Sequence, residues 1–114
     1  MGSDLFFEGK VARLTTRGRR SGLPRRVAVG YVDEPDGSVL VAAGDRAHWA
    51  LNLLDDPEVE VEVGERRFTA VAEPLDRTDH GRAIRGLILR YGTPAERLGV
   101  GPSFRLRPRQ DTSG

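Results

Sequence analysis

The run "EVEVEV", Glu58 to Val63, constrains the fold of this 114-residue chain more than any other stretch. Strict alternation puts Val59, Val61 and Val63 on one face of a β-strand and the glutamates on the other. The strand must therefore cover an apolar core with one face and meet water with the other. Gly64 and Glu65 then turn the chain, and "RFTAVA" returns as a partner strand through Phe68, Ala70 and Ala72. A lone hairpin cannot hold itself together in water, so further strands have to cover its apolar face.

The rest of the chain supplies them. "KVARLT" (10–15) predicts a first strand. "RGRRSGLP" predicts a turn, with Gly18 and Gly22 free to take positive φ and Pro24 fixing the exit. "RRVAVGYV" (25–32) alternates Val27, Val29 and Tyr31 on one face and predicts a second strand. "DEPDG" turns the chain into "SVLVAA", a third. Asp45 is the expected N-cap of a short amphipathic helix carrying Trp49, Leu51, Leu53 and Leu54 and stopped before Pro57. Ile84, Leu87, Ile88 and Tyr91 place a second helix across 79–91, and "SFRLRP" predicts a closing strand after a Gly/Pro-punctuated connection. About six short, mostly hairpin-linked strands with two or three short helices define an α+β class, built as a small antiparallel barrel that manages its strand edges by closing on itself.

Length allows a single domain, placed at residues 10–108 with a lead-in at 1–9 and a tail at 109–114. No apolar run approaches the roughly 20 residues that span a bilayer, and the N-terminal residues lack the pattern of a signal peptide. The expected location is cytoplasmic. The absence of cysteine excludes disulfides, a thiol nucleophile and a thiolate metal site. No metal-spaced His/Asp/Glu set, nucleophile elbow, phosphate-binding P-loop or catalytic carboxylate pair is present, so no metal is expected. Such a chain is either a binding module or an enzyme whose cofactor carries the chemistry.

Charge is distributed unevenly. Lys10, Arg13, Arg17, Arg19, Arg20, Arg25 and Arg26 fall within 17 residues that hold no acid, while Asp55, Asp56, Glu58, Glu60, Glu62 and Glu65 cluster further on. Formal net charge is only +1, so the basic run is a local feature with a local anionic partner or a solvated edge. Nucleic acid is not the expected partner. The basic excess is small, and aromatic residues do not interleave with the arginines as a base-stacking platform requires. A small basic-hairpin nucleic-acid-binding barrel is nevertheless the reading from a different class.

Two motifs carry a family resemblance. "TTRGRRSGLPR" (15–25) and "WALNL" (49–53), the latter followed by Pro57 and the "EVEVEV" strand, occur in an order and separation that resemble the deazaflavin-dependent nitroreductase family. Its members are split-barrel oxidoreductases that use coenzyme F420, related to FMN-binding split-barrel proteins. The resemblance runs from about Lys10 to Ala72 and more weakly to Pro108. It implies a split β-barrel, coenzyme F420 (FMN as the variant), hydride transfer to a small electron-poor organic acceptor, and a possible homodimer. A non-catalytic F420 or flavin carrier is the alternative.

The cofactor joins a planar apolar tricycle to a phosphate and a polyglutamate tail. The residues implied to hold it are Arg17, Arg19, Arg20 and Arg25 as charge-assisted donors, with Ser21 and Gly22 adding backbone N–H groups. Gly44, Asp45 and Arg46 approach it near the helix N-terminus. Trp49 and Asn52 share a helix face: Trp49 walls the ring or packs beneath it, and Asn52 bonds the cofactor or braces the helix. Tyr31 and Tyr91 are open between proton supply and core packing. His48 and His80 have no carboxylate at useful spacing, and no catalytic residue is assigned.

Overall fold

The computed structural model describes residues 11–109. The lead-in at 1–9 and, apart from Arg109, the tail lie outside the described residues. Seven strands form one antiparallel sheet: β1 (Ala12–Arg17), β2 (Pro24–Val29), β3 (Val32–Asp33), β4 (Val39–Ala42), β5 (Glu58–Val63), β6 (Arg66–Pro74) and β7 (Ser103–Pro108). Helix α1 (His48–Asp55) joins β4 to β5. Helix α2 (Arg77–Tyr91) and a 3-10 helix (Thr93–Val100) lie between β6 and β7. Among the described residues no helix is long and apolar enough to cross a membrane.

The strand order β2-β1-β5-β6-β7-β4-β3 puts β2 and β3 at opposite edges of the sheet. Yet only Gly30 and Tyr31 separate them in the chain. Laid flat, seven strands would hold these edges roughly 29 Å apart, whereas the link from Val29 to Val32 reaches at most about 11 Å. The sheet must therefore curl until its edges meet, which makes it the expected barrel.

The expected second strand over 25–32 is thus two strands, and the sheet has seven rather than about six. The break has a clear cause. Gly30 lies under the Tyr91 ring, where a Cβ would sit 3.0 Å from Cε2. The Tyr31 N–H donates to the Tyr91 hydroxyl at 3.1 Å instead of to a strand neighbour.

The core follows the alternation. Val59, Val61 and Val63 are buried with Ala12, Leu14, Ala70, Ala72, Phe104 and Leu106, while Glu58 and Glu60 are exposed. Leu53 and Ala50 of α1 pack into this cluster, and Leu54 on the far side stays 55% exposed. Helix α1 begins later than Asp45 predicts. Its N-cap is Ala47, without a side-chain cap bond. The Ala47 N–H donates to the Gly44 carbonyl at 3.2 Å, so Asp45 and Arg46 form the tip of a turn, with Arg46 at φ 61°. Gly101 presses against that turn's start: a Cβ there would lie 2.0 Å from the Ala43 oxygen. Only glycine permits the crossing, and with it the path that sets α1 on the barrel.

Glu34, just past β3, ties the opposite end together. Its carboxylate accepts from Arg82 of α2 at 2.6 and 3.0 Å and faces Arg105 of β7 at 3.7 Å. The Arg82 hydrogen bond holds the carboxyl below the ordinary glutamate range, against the opposing effect of burial. A depressed folded-state value contributes stability that is present above the unfolded value, near pH 4.3, and lost as pH falls through the folded one. We expect Glu34→Gln to lower unfolding free energy by about 1–3 kcal/mol at neutral pH. In urea melts the gap between variant and wild type should narrow below about pH 4.

Candidate cofactor site

The β1–β2 register ends at Arg17 opposite Pro24, leaving Gly18 to Leu23 as the connecting loop. The Gly18 N–H donates to the Leu23 carbonyl at 2.8 Å, the Gly22 N–H to the Gly18 carbonyl at 2.8 Å, and the Leu23 N–H to Ser21 Oγ at 3.1 Å. Gly22 takes the expected positive φ, 72°. Gly18 does not, so that expectation is corrected: its requirement is space, since a Cβ would fall 2.8 Å from Ser21 Oγ and 3.2 Å from the Leu23 oxygen. The loop is closed by its own hydrogen bonds.

Asn52 anchors it to the barrel. On α1 this residue is only 4% exposed, and its Oδ1 accepts from the Arg19 backbone N–H at 3.2 Å and from Arg19 Nη1 at 2.9 Å. Its Nδ2 donates to Oγ1 of buried Thr16 on β1 at 3.2 Å. One carboxamide thus joins a strand, the loop and a helix. The second Arg19 nitrogen, Nη2, lies 3.4 Å from His48 Nδ1. A guanidinium has only donors, so the imidazole nitrogen is the acceptor.

Between loop, β2 and α1 lies a groove of about 510 Å³ lined by Arg19, Arg20, Arg25, Arg26, Trp49 and His48, with Gly18, Ser21, Val27 and Asn52 completing it. No carboxylate lines it. Arg26 pairs with Glu62 at 2.9 Å. Among the described residues the Arg19 guanidinium is held by Asn52 and His48, and no hydrogen bond or ion pair engages the exposed side chains of Arg20 and Arg25. Three guanidinium charges in the lining therefore have no carboxylate partner among the described residues. The lining also has an apolar part: Val27, and Trp49 with its ring tilted 54° against Phe104 at 6.1 Å.

The structure thus gathers Arg19, Arg20, Ser21, Arg25, Trp49 and Asn52 of the sequence-derived set. It separates the others. Arg17 points to a smaller cleft of about 190 Å³ shared with Asp56, Glu58 and Glu60, its Nε 3.9 Å from Asp56. Gly44 and Arg46 stand in the turn before α1 and do not line the groove. Sequence reasoning passed over Arg26, Val27 and His48 as groove residues, and Thr16 as the buried acceptor behind Asn52. The loop's hydrogen bonds, which bring residues 19 and 52 together, leave no periodic signal.

Both tyrosines belong elsewhere. They meet at the Gly30 end of β2, opposite the loop, where Arg90 stacks over the Tyr31 ring at 4.3 Å and donates to its hydroxyl at 3.1 Å. Burial raises the Tyr91 phenol above its ordinary value, so it stays protonated at neutral pH. His80 links the 3-10 helix to β7 through Ser103 Oγ at 2.6 Å and the Gly99 carbonyl at 2.9 Å.

Residues 2–93 match the F420H(2)-dependent quinone reductase family. The chain belongs to that family. The F420H(2)-dependent quinone reductase Rv1261c of Mycobacterium tuberculosis is 34% identical over 70 residues, which are 58% of this chain and 47% of that protein. The chain spans about half the length of the curated relatives it matches. Among solved structures, an F420-H2 dependent reductase, FDR-A, superposes with TM-score 0.73 at 25% identity over 86% of this chain and 94% of that one. HutZ, the heme storage protein of Vibrio cholerae, shares the fold at TM-score 0.75 and 24% identity, over 96% of this chain and 88% of its own. The split-barrel fold and the deazaflavin-dependent family read from the two motifs both hold.

Replacing Asn52 by Ala strips Thr16 and the Arg19 backbone of their buried partner. The expected cost is about 1–3 kcal/mol of unfolding free energy. Amide exchange across Gly18 to Gly22 should accelerate while the β5–β6 hairpin keeps its protection.

Proposed function

We propose that this protein is an F420H2-dependent reductase acting on small, electron-poor organic acceptors of the quinone class. The observation that carries the reading is the groove's lining, which combines Arg19, Arg20 and Arg25, none paired with a carboxylate among the described residues, with the apolar Val27 and Trp49. A cofactor with a planar ring at one end and phosphate plus carboxylates at the other fits that combination. FMN, the variant cofactor, has a single phosphate and no carboxylate tail, and leaves part of the cationic lining unmatched.

In this reading Arg19, Arg20 and Arg25 hold the phosphate and carboxylates. Arg19 is anchored before anything binds by Asn52, which accepts from its backbone N–H and from Nη1 and leaves Nη2 able to change partner. Val27 and Trp49 flank the ring, and Phe104 behind Trp49 keeps it from yielding. Asn52 lines the groove while its carboxamide is engaged by Arg19 and Thr16, which supports a bracing role. When bound, the cofactor supplies a hydride to the acceptor, and the chain's contribution is to orient both and exclude water. Arg17, Gly44 and Arg46 stand outside this set. A homodimer is proposed on the outer edge of β2, which among the described residues hydrogen-bonds to β1 alone and lies beside β3 without pairing to it.

The test is binding of oxidised F420 to the purified protein, followed by fluorescence, with FMN as comparator. Arg20→Ala with Arg25→Ala removes exposed side chains that no hydrogen bond or ion pair engages among the described residues, so the fold should persist. Affinity for F420 should fall about 10- to 100-fold and lose much of its salt sensitivity, with FMN affected less. Equal loss for both cofactors, or none for either, would contradict the assignment. Tight binding without turnover on a quinone panel would leave a carrier in place of a reductase.

A further inference from the structure

Reduction of a quinone by hydride needs a proton as well as two electrons, and the groove contains one side chain suited to deliver it. We infer that His48 is the proton-donating residue of this site and that it is loaded with its proton when the anionic cofactor binds. The inference rests on the reductase reading above.

The chemistry of the lining selects His48. Guanidinium groups do not release protons in the physiological range, and neither does a serine hydroxyl, an indole or a carboxamide. An imidazole does. His48 is exposed on the first turn of α1, beside Trp49, and its ring opens on the same groove. The charged residues that line the groove with it are Arg19 and Arg20 from the loop and Arg25 and Arg26 from β2, all positive, while Asp45 and Arg46 stand three and two positions before it in the turn that leads into α1. No carboxylate is among the groove-lining residues.

Arg19 couples the proton to the ligand. Without an anion, Arg19 Nη2 lies 3.4 Å from His48 Nδ1, and a guanidinium, which has only hydrogens to offer, occupies that nitrogen. A phosphate or carboxylate in the groove draws the Arg19 guanidinium into a charge-assisted bond and vacates Nδ1. The same anion favours the imidazolium by Coulomb attraction. Anion and proton therefore enter together, and each strengthens the binding of the other.

The balance of the step is simple. Hydride addition to a quinone brings two electrons and one proton and leaves a hydroquinone monoanion. The Nε2 proton of the imidazolium moves to that oxygen, forming the second O–H bond and leaving a neutral ring. The oxidised cofactor releases one proton to solvent, and solvent returns one to His48. The sum is quinone plus reduced cofactor giving hydroquinone plus oxidised cofactor.

His48→Gln tests this directly, because the glutamine oxygen can still accept from Arg19 but cannot transfer a proton. Calorimetry of oxidised F420 binding, in two buffers of different ionisation enthalpy near pH 7, counts protons without turnover. Wild type should take up a measurable fraction of a proton. The variant should bind within about threefold as tightly and take up none. Its kcat with a quinone should fall about 100-fold with KM little changed, and the loss of rate on the alkaline side of the pH profile should flatten. Equal proton uptake in both proteins, or an unchanged pH profile in the variant, would overturn the role of His48 while the reductase reading stands. Failure of wild type to bind F420 would overturn both.

Discussion

Two residues carry the chain from one edge of the sheet to the other, and that short link dictates most of what surrounds it. With Gly30 and Tyr31 as the connection, an antiparallel sheet of seven strands has to curl into a barrel. Once curled, it has an apolar interior that Val59, Val61, Leu14, Phe104 and Leu106 fill and one end that α1 packs against. Tyr91 locks the link by accepting the Tyr31 N–H and occupying the space that a side chain at position 30 would need. The Arg90 stack over Tyr31 adds a cation–π contact on the same spot. That end of the molecule is built for closure, and the groove lies at the opposite end, beside the 18–23 loop.

At the binding end, arginine is concentrated without being neutralised. Keeping like charges close is unfavourable unless something opposes it, and the structure shows how far the protein goes to arrange them. Arg19 is fixed by neutral acceptors rather than by a carboxylate, so orientation is achieved without cancelling the charge. Glu62 pairs with Arg26 at the groove and with Arg67, and Asp56 meets Arg17, while Arg19, Arg20 and Arg25 have no carboxylate partner among the described residues. In the proposed reading an anionic ligand would complete this arrangement and a ring would rest against Val27 and Trp49. Membership of the F420H(2)-dependent quinone reductase family is consistent with that reading.

Much of this was legible in the sequence because alternation and turn chemistry are local. The valines of β5, the return through Ala70 and Ala72, the loop glycine with positive φ at Gly22, and the second helix all follow from neighbours in the chain. What escaped depends on contacts between distant residues. The break in the second strand is caused by Tyr91, sixty positions away. The start of α1 at His48 rather than just after Asp45 reflects the turn closed by the Ala47–Gly44 bond and crossed by Gly101. Composition alone could not divide the basic run. Arg17 and Arg19 are two positions apart, yet one faces an acidic cleft and the other the groove, because the strand ends between them at Gly18.

The central claim is that the groove lined by Arg19, Arg20, Arg25 and Trp49 is where the cofactor sits. Chemical-shift mapping of the 15N-labelled protein, including the arginine side-chain Nε–H signals, during titration with oxidised F420 tests it most directly. The account predicts perturbations concentrated at Gly18 to Val27 and His48 to Asn52, strongest at the Arg19, Arg20 and Arg25 side chains. Signals of Tyr31, Tyr91 and the 3-10 helix should hardly move. Perturbations centred on the Gly30 end of the barrel, or on the Arg17–Asp56 cleft, would contradict it.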